Sequence, residues 1–267
     1  MPTKPPSKQR QLRTVAGEAA KIAKVKAAPA PATATAAVAA SPTRRPKARA
    51  HPRGFKLAAA HAALARSDTS LARWMRRIGP LQIHWRDPFE PVDALARAIL
   101  YQQLSGKAAA TIVARVEAKL PNGPHFHPHD LRDVPVDVLR GCGVSGNKVL
   151  ALKDLAQKAI EGVVPHVQEL RWLDNQTLIE RLSAVRGIGR WTVEMMLMFR
   201  LGRPDVLPVD DLGVRKGAQV VLGLADMPTP KQLAELGTRW APWRTLASMY
   251  LWRIADLGKA PIPRSQR

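Results

Sequence analysis

Two predicted helices meet in the segment Leu182-Ser183-Ala184-Val185-Arg186-Gly187-Ile188-Gly189-Arg190-Trp191-Thr192, where two glycines flank one isoleucine. Because glycine has no side chain, the backbone amides at this turn can approach a phosphate oxygen closely, and the following helix adds the positive end of its dipole. Ile188 is predicted to enter the core and fix the turn. An ordinary tight connection between helices shows the same pattern, so the segment alone leaves a phosphate site and a plain turn open.

The sequence on both sides of this turn is predicted to be helical. Asp68-Thr69-Ser70 is a capping sequence for a helix that ends at Gly79-Pro80, and Pro91 favours the start of another helix. Further helices are predicted over 108–120, 145–160, 175–185, 188–201, from Asp210 or Asp211 onward, 229–240 and 242–257. No segment alternates apolar and polar residues as a strand does. The fold class is therefore all-α, with about ten helices and short loops.

The composition favours a polyanionic partner. The chain has 267 residues and a formal net charge of +21 at pH 7, and 46% of its residues are hydrophobic, enough for a sizeable core. Cys142 is the only cysteine, which excludes an internal disulfide and a four-cysteine zinc or iron–sulfur site. No run of 18 apolar residues predicts a membrane span, and no secretory leader is recognised, so we expect a cytoplasmic protein.

The N-terminal region differs from the rest of the chain. Its first fifty residues carry 11 Lys and Arg, a single acid at Glu18 and no aromatic residue. Such a segment buries too little apolar surface to offset the entropy of ordering, so residues 1–53 are predicted to be a disordered basic tail before a helical domain over 54–267. The tail has three interpretations: a nonspecific DNA tether, a solvated extension and, ranked below both, a transit peptide.

An aspartate follows the glycine turn at a characteristic place. Pro208-Val209-Asp210-Asp211-Leu212 comes after a loop rich in glycine and proline. Turn, loop and aspartate in this order resemble the helix-hairpin-helix (HhH-GPD) DNA glycosylase superfamily. The resemblance implies a two-lobed helical fold with a central cleft, and an aspartate at a helix start that faces a flipped nucleotide. The family pattern Pro-x-Asp assigns the catalytic role to Asp210, with Asp211 as the neighbouring alternative. A plain helix cap remains open for either.

The segment Ala98–Ser105 resembles a helix-end motif of bacterial and archaeal 3-methyladenine glycosylases. In that motif a side chain next to a glutamine fills the gap that the extruded base leaves. The resemblance assigns this wedge to Gln103, places Gln102 beside it and adds Tyr101 to the base pocket. Two polar residues at the end of a helix are the simpler interpretation.

The C-terminal region resembles the 3-methyladenine glycosylase II branch of the superfamily. Its signature is carried by Trp240-Ala241-Pro242-Trp243-Arg244 and by Tyr250-Leu251-Trp252. The resemblance covers roughly residues 70 to 258. It assigns Trp191 and Trp252 to the base pocket, although both could be core tryptophans. Bifunctional relatives carry a Schiff-base lysine at the position of Trp191, so simple hydrolysis without strand cleavage is expected.

DNA-phosphate contacts are expected around the glycine turn. The resemblance assigns them to Gly187, Gly189, Arg190, Thr192 and Lys148, the last within Gly143-Val144-Ser145-Gly146-Asn147-Lys148, which resembles the family's Gly-x-Ser-x-x-Lys helix start. Arg186 departs from the family, which usually has proline there. The resemblance also implies one monovalent cation, Na⁺ or K⁺, on the backbone carbonyls of Ser183, Val185 and Gly187. No cofactor, iron–sulfur cluster or divalent metal is expected to be required.

Together these features predict a base-excision repair enzyme acting on double-stranded DNA. We expect monofunctional hydrolysis of the N-glycosidic bond of flipped alkylated purines, of the 3-methyladenine and 7-methylguanine type. The alternatives are a glycosylase for another damaged base and a nonenzymatic helix-hairpin-helix DNA-binding protein. Hypoxanthine and ethenoadenine stay open as further lesions. A monomer without membrane association, located at the bacterial nucleoid, is expected.

Overall fold

The computed structural model describes residues 50–83, 85 and 87–257. Within these ranges all regular structure is helical, which confirms the predicted fold class. Of the tail predicted over residues 1–53, residues 1–49 lie outside the described residues. Residues 51–53 contact the helical domain, because His51 N donates to Arg171 O at 2.7 Å and Arg53 Nε donates to Arg200 O at 2.7 Å. The segment just before the expected domain boundary at Gly54 therefore lies on the surface of the domain.

Twelve α-helices and two 3₁₀ turns follow one another along the described ranges. The helices are α1 Leu57–Ser67, α2 Thr69–Ile78, α3 Pro91–Tyr101, α4 Gly106–Glu117, α5 Pro128–Asp133, α6 Val136–Gly141, α7 Gly146–Ile160, α8 Asn175–Ser183, α9 Arg190–Phe199, α10 Leu212–Leu222, α11 Pro230–Leu236 and α12 Arg244–Leu257. The 3₁₀ turns are Leu170–Trp172 and Gly237–Trp240.

Most of the helix–helix contacts fall in two groups. In the first group α3, α5 and α6 pack on α7, and α4 packs on α3. In the second group α10 packs along α12, and both contact α2, while α1 packs on α2 and α12. The apolar faces of both groups join one continuous core.

The second group depends on a buried capping aspartate, as the sequence predicted. Asp68 caps α2, because its Oδ1 accepts from Leu71 N at 2.9 Å. Its other oxygen accepts from Trp240 Nε1 at 2.9 Å, and both side chains are buried. Arg244 forms an ion pair with Asp205, at 2.6 Å between Nε and Oδ1. The tryptophan and arginine of the C-terminal signature thus hold the fold together.

Several predicted helix bounds differ from the structure. Helix α9 begins at Arg190 rather than Ile188, because Ile188 belongs to the turn, where its N–H donates to Val185 O at 3.0 Å. The helix predicted over 229–240 ends at Leu236 and continues as a 3₁₀ turn. Helices α5 and α6 were not predicted. Each has only six residues, too few for a helical period to show in the sequence.

None of the described helices combines the length and the hydropathy that a membrane-spanning segment needs.

Candidate active site

The glycine turn presents its backbone at the surface and its apolar side chains to the core. Val185 and Ile188 are buried, whereas Arg186, Gly187 and Gly189 are exposed. Gly187 has φ +77°, a conformation that favours glycine. Gly189 is the N-cap residue of α9, and no side chain in the described ranges caps it. Thr192 N donates to Gly189 O at 3.0 Å, and the first-turn amides of Arg190 and Trp191 have no side-chain acceptor among the described residues.

The turn is held in place by α7. The Asp154 carboxylate accepts from Arg186 N at 2.6 Å and from Lys158 Nζ at 2.7 Å. Burial alone would raise the pKa of Asp154, but these two hydrogen bonds hold it below its usual value. A Cβ on Gly187 would come within 3.3 Å of the Ala151 side chain. The exposed backbone of the turn is thus fixed by a charged hydrogen bond and by close packing.

Asp211 lies at the centre of a buried polar cluster. Its Oδ1 caps α10 by accepting from Val214 N at 2.9 Å, and the same oxygen accepts from Trp252 Nε1 at 2.8 Å. Its Oδ2 accepts from Trp191 Nε1 at 2.8 Å. The residue is only 9% exposed. Three N–H donors therefore fix the orientation of one carboxylate at a helix start, between two indole rings.

The small size of Gly213 allows this arrangement. A Cβ at position 213 would lie 2.7 Å from Trp252 Cδ1 and 3.1 Å from Asp211 Oδ1. Any larger residue would push the indole away from the carboxylate. The sequence Asp-x-Gly at the start of α10 is thus required for the contact between Asp211 and Trp252. The sequence pattern did not reveal this requirement.

Asp210 lies outside this cluster. Its side chain is exposed, while that of Asp211 is buried against Trp191 and Trp252. The Pro-x-Asp pattern favoured Asp210, but the geometry favours Asp211, the alternative one residue later. The reason is that Asp211 is the N-cap residue of α10, whereas Asp210 belongs to the preceding turn.

An apolar stripe on α9 leads away from the carboxylate. Trp191, Met195 and Phe199 recur at intervals of four residues and are all partly exposed, although the remaining apolar side chains of this helix are buried. Phe199 stacks on Trp252, with ring centroids 5.9 Å apart and an interplanar angle of 22°. Trp191, Phe199 and Trp252 thus form an aromatic wall beside Asp211. Met195 and Phe199 were not identified from the sequence.

A second buried carboxylate lies near the aspartates. Glu194 is 3% exposed, and its Oε1 forms an ion pair with Arg190 Nε at 2.9 Å. Burial raises the pKa of Glu194 to about 7; Arg190 opposes this shift, and the charges of Asp210 and Asp211 add to it. The guanidinium of Arg190 is half exposed beside the turn. Sequence motifs missed Glu194, although a glutamate within an otherwise apolar helix is a recognisable signal.

The raised pKa of Glu194 gives a prediction for stability against pH. A carboxyl group whose folded pKa exceeds its unfolded pKa stabilises the fold below about pH 4.5, and this contribution is lost as the pH rises to about 7. Glu194→Gln removes the titration. Its unfolding free energy should match that of the wild type at pH 4.5 and exceed it at pH 8 by up to about 3 kcal/mol.

Denaturant melts at both pH values measure this difference, and Glu180→Gln, an exposed glutamate on α8, is the control. A difference between Glu194→Gln and wild type that does not change with pH would refute the prediction.

The segment at the end of α3 lies against the glycine turn. Gln102 Nε2 donates to Gly187 O at 2.8 Å, so this side chain binds the turn rather than projecting freely. Gln103 is exposed and has φ +59°, the single non-glycine residue with positive φ in the described part of the chain. Tyr101 is partly exposed at the end of the same helix. The structure thus brings Gln102 and Gln103 to the surface that carries the turn.

Lys148 has a different environment from the one predicted. Its ammonium donates to Leu100 O at 2.7 Å and to Gln102 O at 2.8 Å. Burial lowers the pKa of Lys148. The side chain is thus engaged inside the protein, and the geometry does not favour the predicted phosphate contact. Thr192 lies in the first turn of α9, partly exposed.

Among the described residues, no cluster of His, Cys, Asp and Glu could hold a metal ion. This includes the histidines of the His125–His129 segment. Cys142 is buried and has a free thiol.

A glycine hairpin between two helices, followed by a buried carboxylate at the start of a third, defines a helix-hairpin-helix protein with a candidate hydrolytic site. Residues 96–242 match the family described as HhH-GPD superfamily base excision DNA repair protein, more than half of the chain. The chain belongs to this family.

The chain is similar to named relatives and to solved structures. DNA-3-methyladenine glycosylase 1 of Schizosaccharomyces pombe is 42% identical over 174 residues, which are 65% of this chain and 76% of the relative. The structure of that yeast enzyme in complex with abasic DNA has a TM-score of 0.65 at 36% identity, covering 76% of this chain and 100% of the other. A DNA-3-methyladenine glycosidase of Bacillus halodurans has a TM-score of 0.68 at 35% identity, covering 75% and 90%.

Proposed function

We propose that this protein is a base-excision enzyme that hydrolyses the N-glycosidic bond of alkylated purines, such as 3-methyladenine, in double-stranded DNA. The observation that carries the proposal is the Asp211 carboxylate, fixed by three N–H donors between the rings of Trp191 and Trp252. Relatives named for 3-methyladenine excision support the same substrate class. A plain DNA-binding module does not require this carboxylate.

Asp211 is proposed as the catalytic residue. Breaking the glycosidic bond leaves positive charge on the sugar, and a fixed carboxylate stabilises that charge and orients the attacking water. Its hydrogen bonds prevent the carboxylate from reorienting as the charge develops. The leaving base of an N-alkylated purine already carries positive charge, so its departure requires no proton from the protein.

The aromatic wall is proposed to bind the flipped base. A cationic alkylated purine is attracted to the electron-rich faces of aromatic rings. Trp191 is partly exposed and offers its face directly, whereas Trp252 is 8% exposed and is proposed to contribute through its exposed part. Phe199 extends the wall by stacking on Trp252. Tyr101, predicted for the pocket, is partly exposed at the end of α3 and remains a candidate.

The glycine turn is proposed to anchor a DNA phosphate. Its exposed backbone at Gly187 and Gly189, the dipole of α9 and the half-exposed Arg190 all favour an anion there, with Thr192 in the same helical turn. The exposed Gln103 is proposed as the wedge that fills the gap after base flipping.

A monovalent cation is proposed at the carbonyls of Ser183, Val185 and Gly187. Gly187 O already accepts from Gln102, and Val185 O accepts from Ile188 N, so each has one lone pair left for a cation. A bound Na⁺ or K⁺ would supply positive charge beside the phosphate. Replacing K⁺ with choline at constant ionic strength should then weaken abasic-duplex binding; unchanged binding refutes this site.

The reaction type gives a prediction that tests the proposed function. Trp191 occupies the place at the start of α9 where a Schiff-base lysine is found in bifunctional relatives, so no covalent intermediate should form. With a duplex containing one methylated purine, the enzyme should produce abasic sites, and the strand should stay intact until alkali is added. Borohydride should trap no protein–DNA adduct.

A trapped adduct would refute simple hydrolysis. DNA without abasic sites after incubation with excess enzyme would instead favour a nonenzymatic DNA-binding protein.

A further inference from the structure

The segment Gln102-Gln103 is held in an unfavourable conformation. The positive φ of Gln103 costs an ordinary residue about 1–2 kcal/mol, and such conformations persist only where surrounding contacts impose them. Gln103 is exposed, so its own side chain does not explain this conformation. The contacts that impose it must come from its neighbours.

Lys148 supplies the first of these contacts. It lies in the first turn of α7, where a positive charge is unfavourable for its own helix. Its ammonium instead reaches the C-terminal end of α3, whose last carbonyls lack helical partners, and binds Leu100 O and Gln102 O. It therefore fixes the backbone immediately before Gln103.

Gln102 supplies the second contact. Its amide donates to Gly187 O, so the segment before Gln103 is tied directly to the glycine turn. The turn is itself tied to α7 through Asp154 and Arg186 N. Helix α7 thus holds both Gln103 and the turn, from Lys148 near its start and from Asp154 six residues later.

We propose that Lys148 is a positioning residue for Gln103: it holds the wedge in its left-handed conformation at a fixed distance from the phosphate-binding turn. This rests on the proposed function. Base flipping requires the wedge to enter the duplex while the turn holds the backbone, and a wedge that is already placed avoids the entropy of ordering it at that moment. The role differs from a phosphate contact, because the ammonium donates to protein carbonyls.

A double-mutant cycle tests the proposal. Its four proteins are the wild type, Lys148→Met, Gln103→Gly and the double variant; glycine at 103 removes the wedge and adopts positive φ without strain. Lys148→Met should lower single-turnover excision from duplex DNA about tenfold in the wild-type background and less than about twofold in the Gln103→Gly background. Excision of the same lesion from single-stranded DNA, where no gap forms, should change less than about twofold in either background.

Salt dependence separates positioning from phosphate binding. Lys148→Met should leave the slope of log affinity against log salt for an abasic duplex unchanged, whereas loss of a phosphate contact lowers it by about one. Lys119→Met, at an exposed lysine in the turn after α4, is the control for removing one charge. Equal losses in both Gln103 backgrounds, or a lower salt slope, would overturn the proposal.

Two further arms keep the test decisive. If Lys148→Met fails to fold, Gln102→Met takes its place, because it removes the donor to Gly187 O at similar volume. In a double-mutant cycle with Gln103→Gly, Gln102→Met should likewise lower duplex excision more in the wild-type background than in the Gln103→Gly background. If the wild type excises no methylated base, the proposed function fails. The same double-mutant cycle is then measured on the ratio of the affinities for abasic and intact duplex, a readout that requires no catalysis. Whether the effect of Lys148→Met on this ratio depends on Gln103 decides the role of Lys148.

Discussion

Asp211→Asn is expected to lower release of 3-methyladenine by about two orders of magnitude or more, the scale of losing one preorganised electrostatic contact. Asparagine keeps an oxygen that can cap α10 but removes the carboxylate, and its NH₂ group meets an indole N–H. Affinity for damaged duplex DNA should be preserved, because the phosphate-binding turn is unchanged. Single-turnover base release, with melting temperatures measured in parallel, checks this expectation.

Asp210→Asn is the matched control for this prediction. Asp210 precedes Asp211 and is exposed, so its substitution should lower base release less than about tenfold. A large loss in Asp210→Asn, with Asp211→Asn active, would return the catalytic role to the residue that the sequence pattern favoured. Activity in both variants would refute carboxylate catalysis at this site.

Trp191→Phe and Trp252→Phe are each expected to lower base release by about tenfold to a hundredfold. Phenylalanine keeps an aromatic face but removes the N–H that orients the carboxylate, and hydrogen bonds to charged groups are worth about 1.5–3 kcal/mol. If the indoles act through Asp211, the same substitutions should have little further effect in Asp211→Asn. Single-turnover rates in both backgrounds measure this.

Trp172→Phe, at an exposed tryptophan in a 3₁₀ turn, is the control for loss of an indole. Equal losses for the indole variants with and without the Asp211 carboxylate would show that the rings act on the base alone.

The fold was predictable where neighbouring residues in the sequence determine the local structure. The cap at Asp68, the start of α3 at Pro91 and the glycine turn all follow from residues that are close in sequence. Helices α5 and α6 were not predictable, because one and a half turns carry no detectable period. Ile188 was predicted both to enter the core at the turn, which the structure confirms, and to begin the next helix, which is wrong because apolar spacing does not distinguish a buried turn residue from a helical one.

The site was predictable in its residue types and less so in its contacts. Sequence pattern identified Trp191, Trp252 and a pair of aspartates, but only the tertiary fold, which brings Trp191 of α9 and Trp252 of α12 to the start of α10, determines which carboxylate meets both indoles. Lys148 was assigned to phosphate because its segment resembles the family's Gly-x-Ser-x-x-Lys helix start. Its carbonyl partners lie 46 and 48 residues away in sequence and become neighbours only through the packing of α3 on α7.

Hydrolytic release of an alkylated purine can be tested by identifying the released product. The wild-type protein is incubated with dimethyl sulfate-treated duplex DNA, and the small-molecule fraction is separated and weighed by mass spectrometry. We expect free methylated purines, 3-methyladenine among them, whose total equals the abasic sites formed, and none from untreated DNA. If neither abasic sites nor free bases form when the enzyme is in excess over the lesions, hydrolytic release is contradicted.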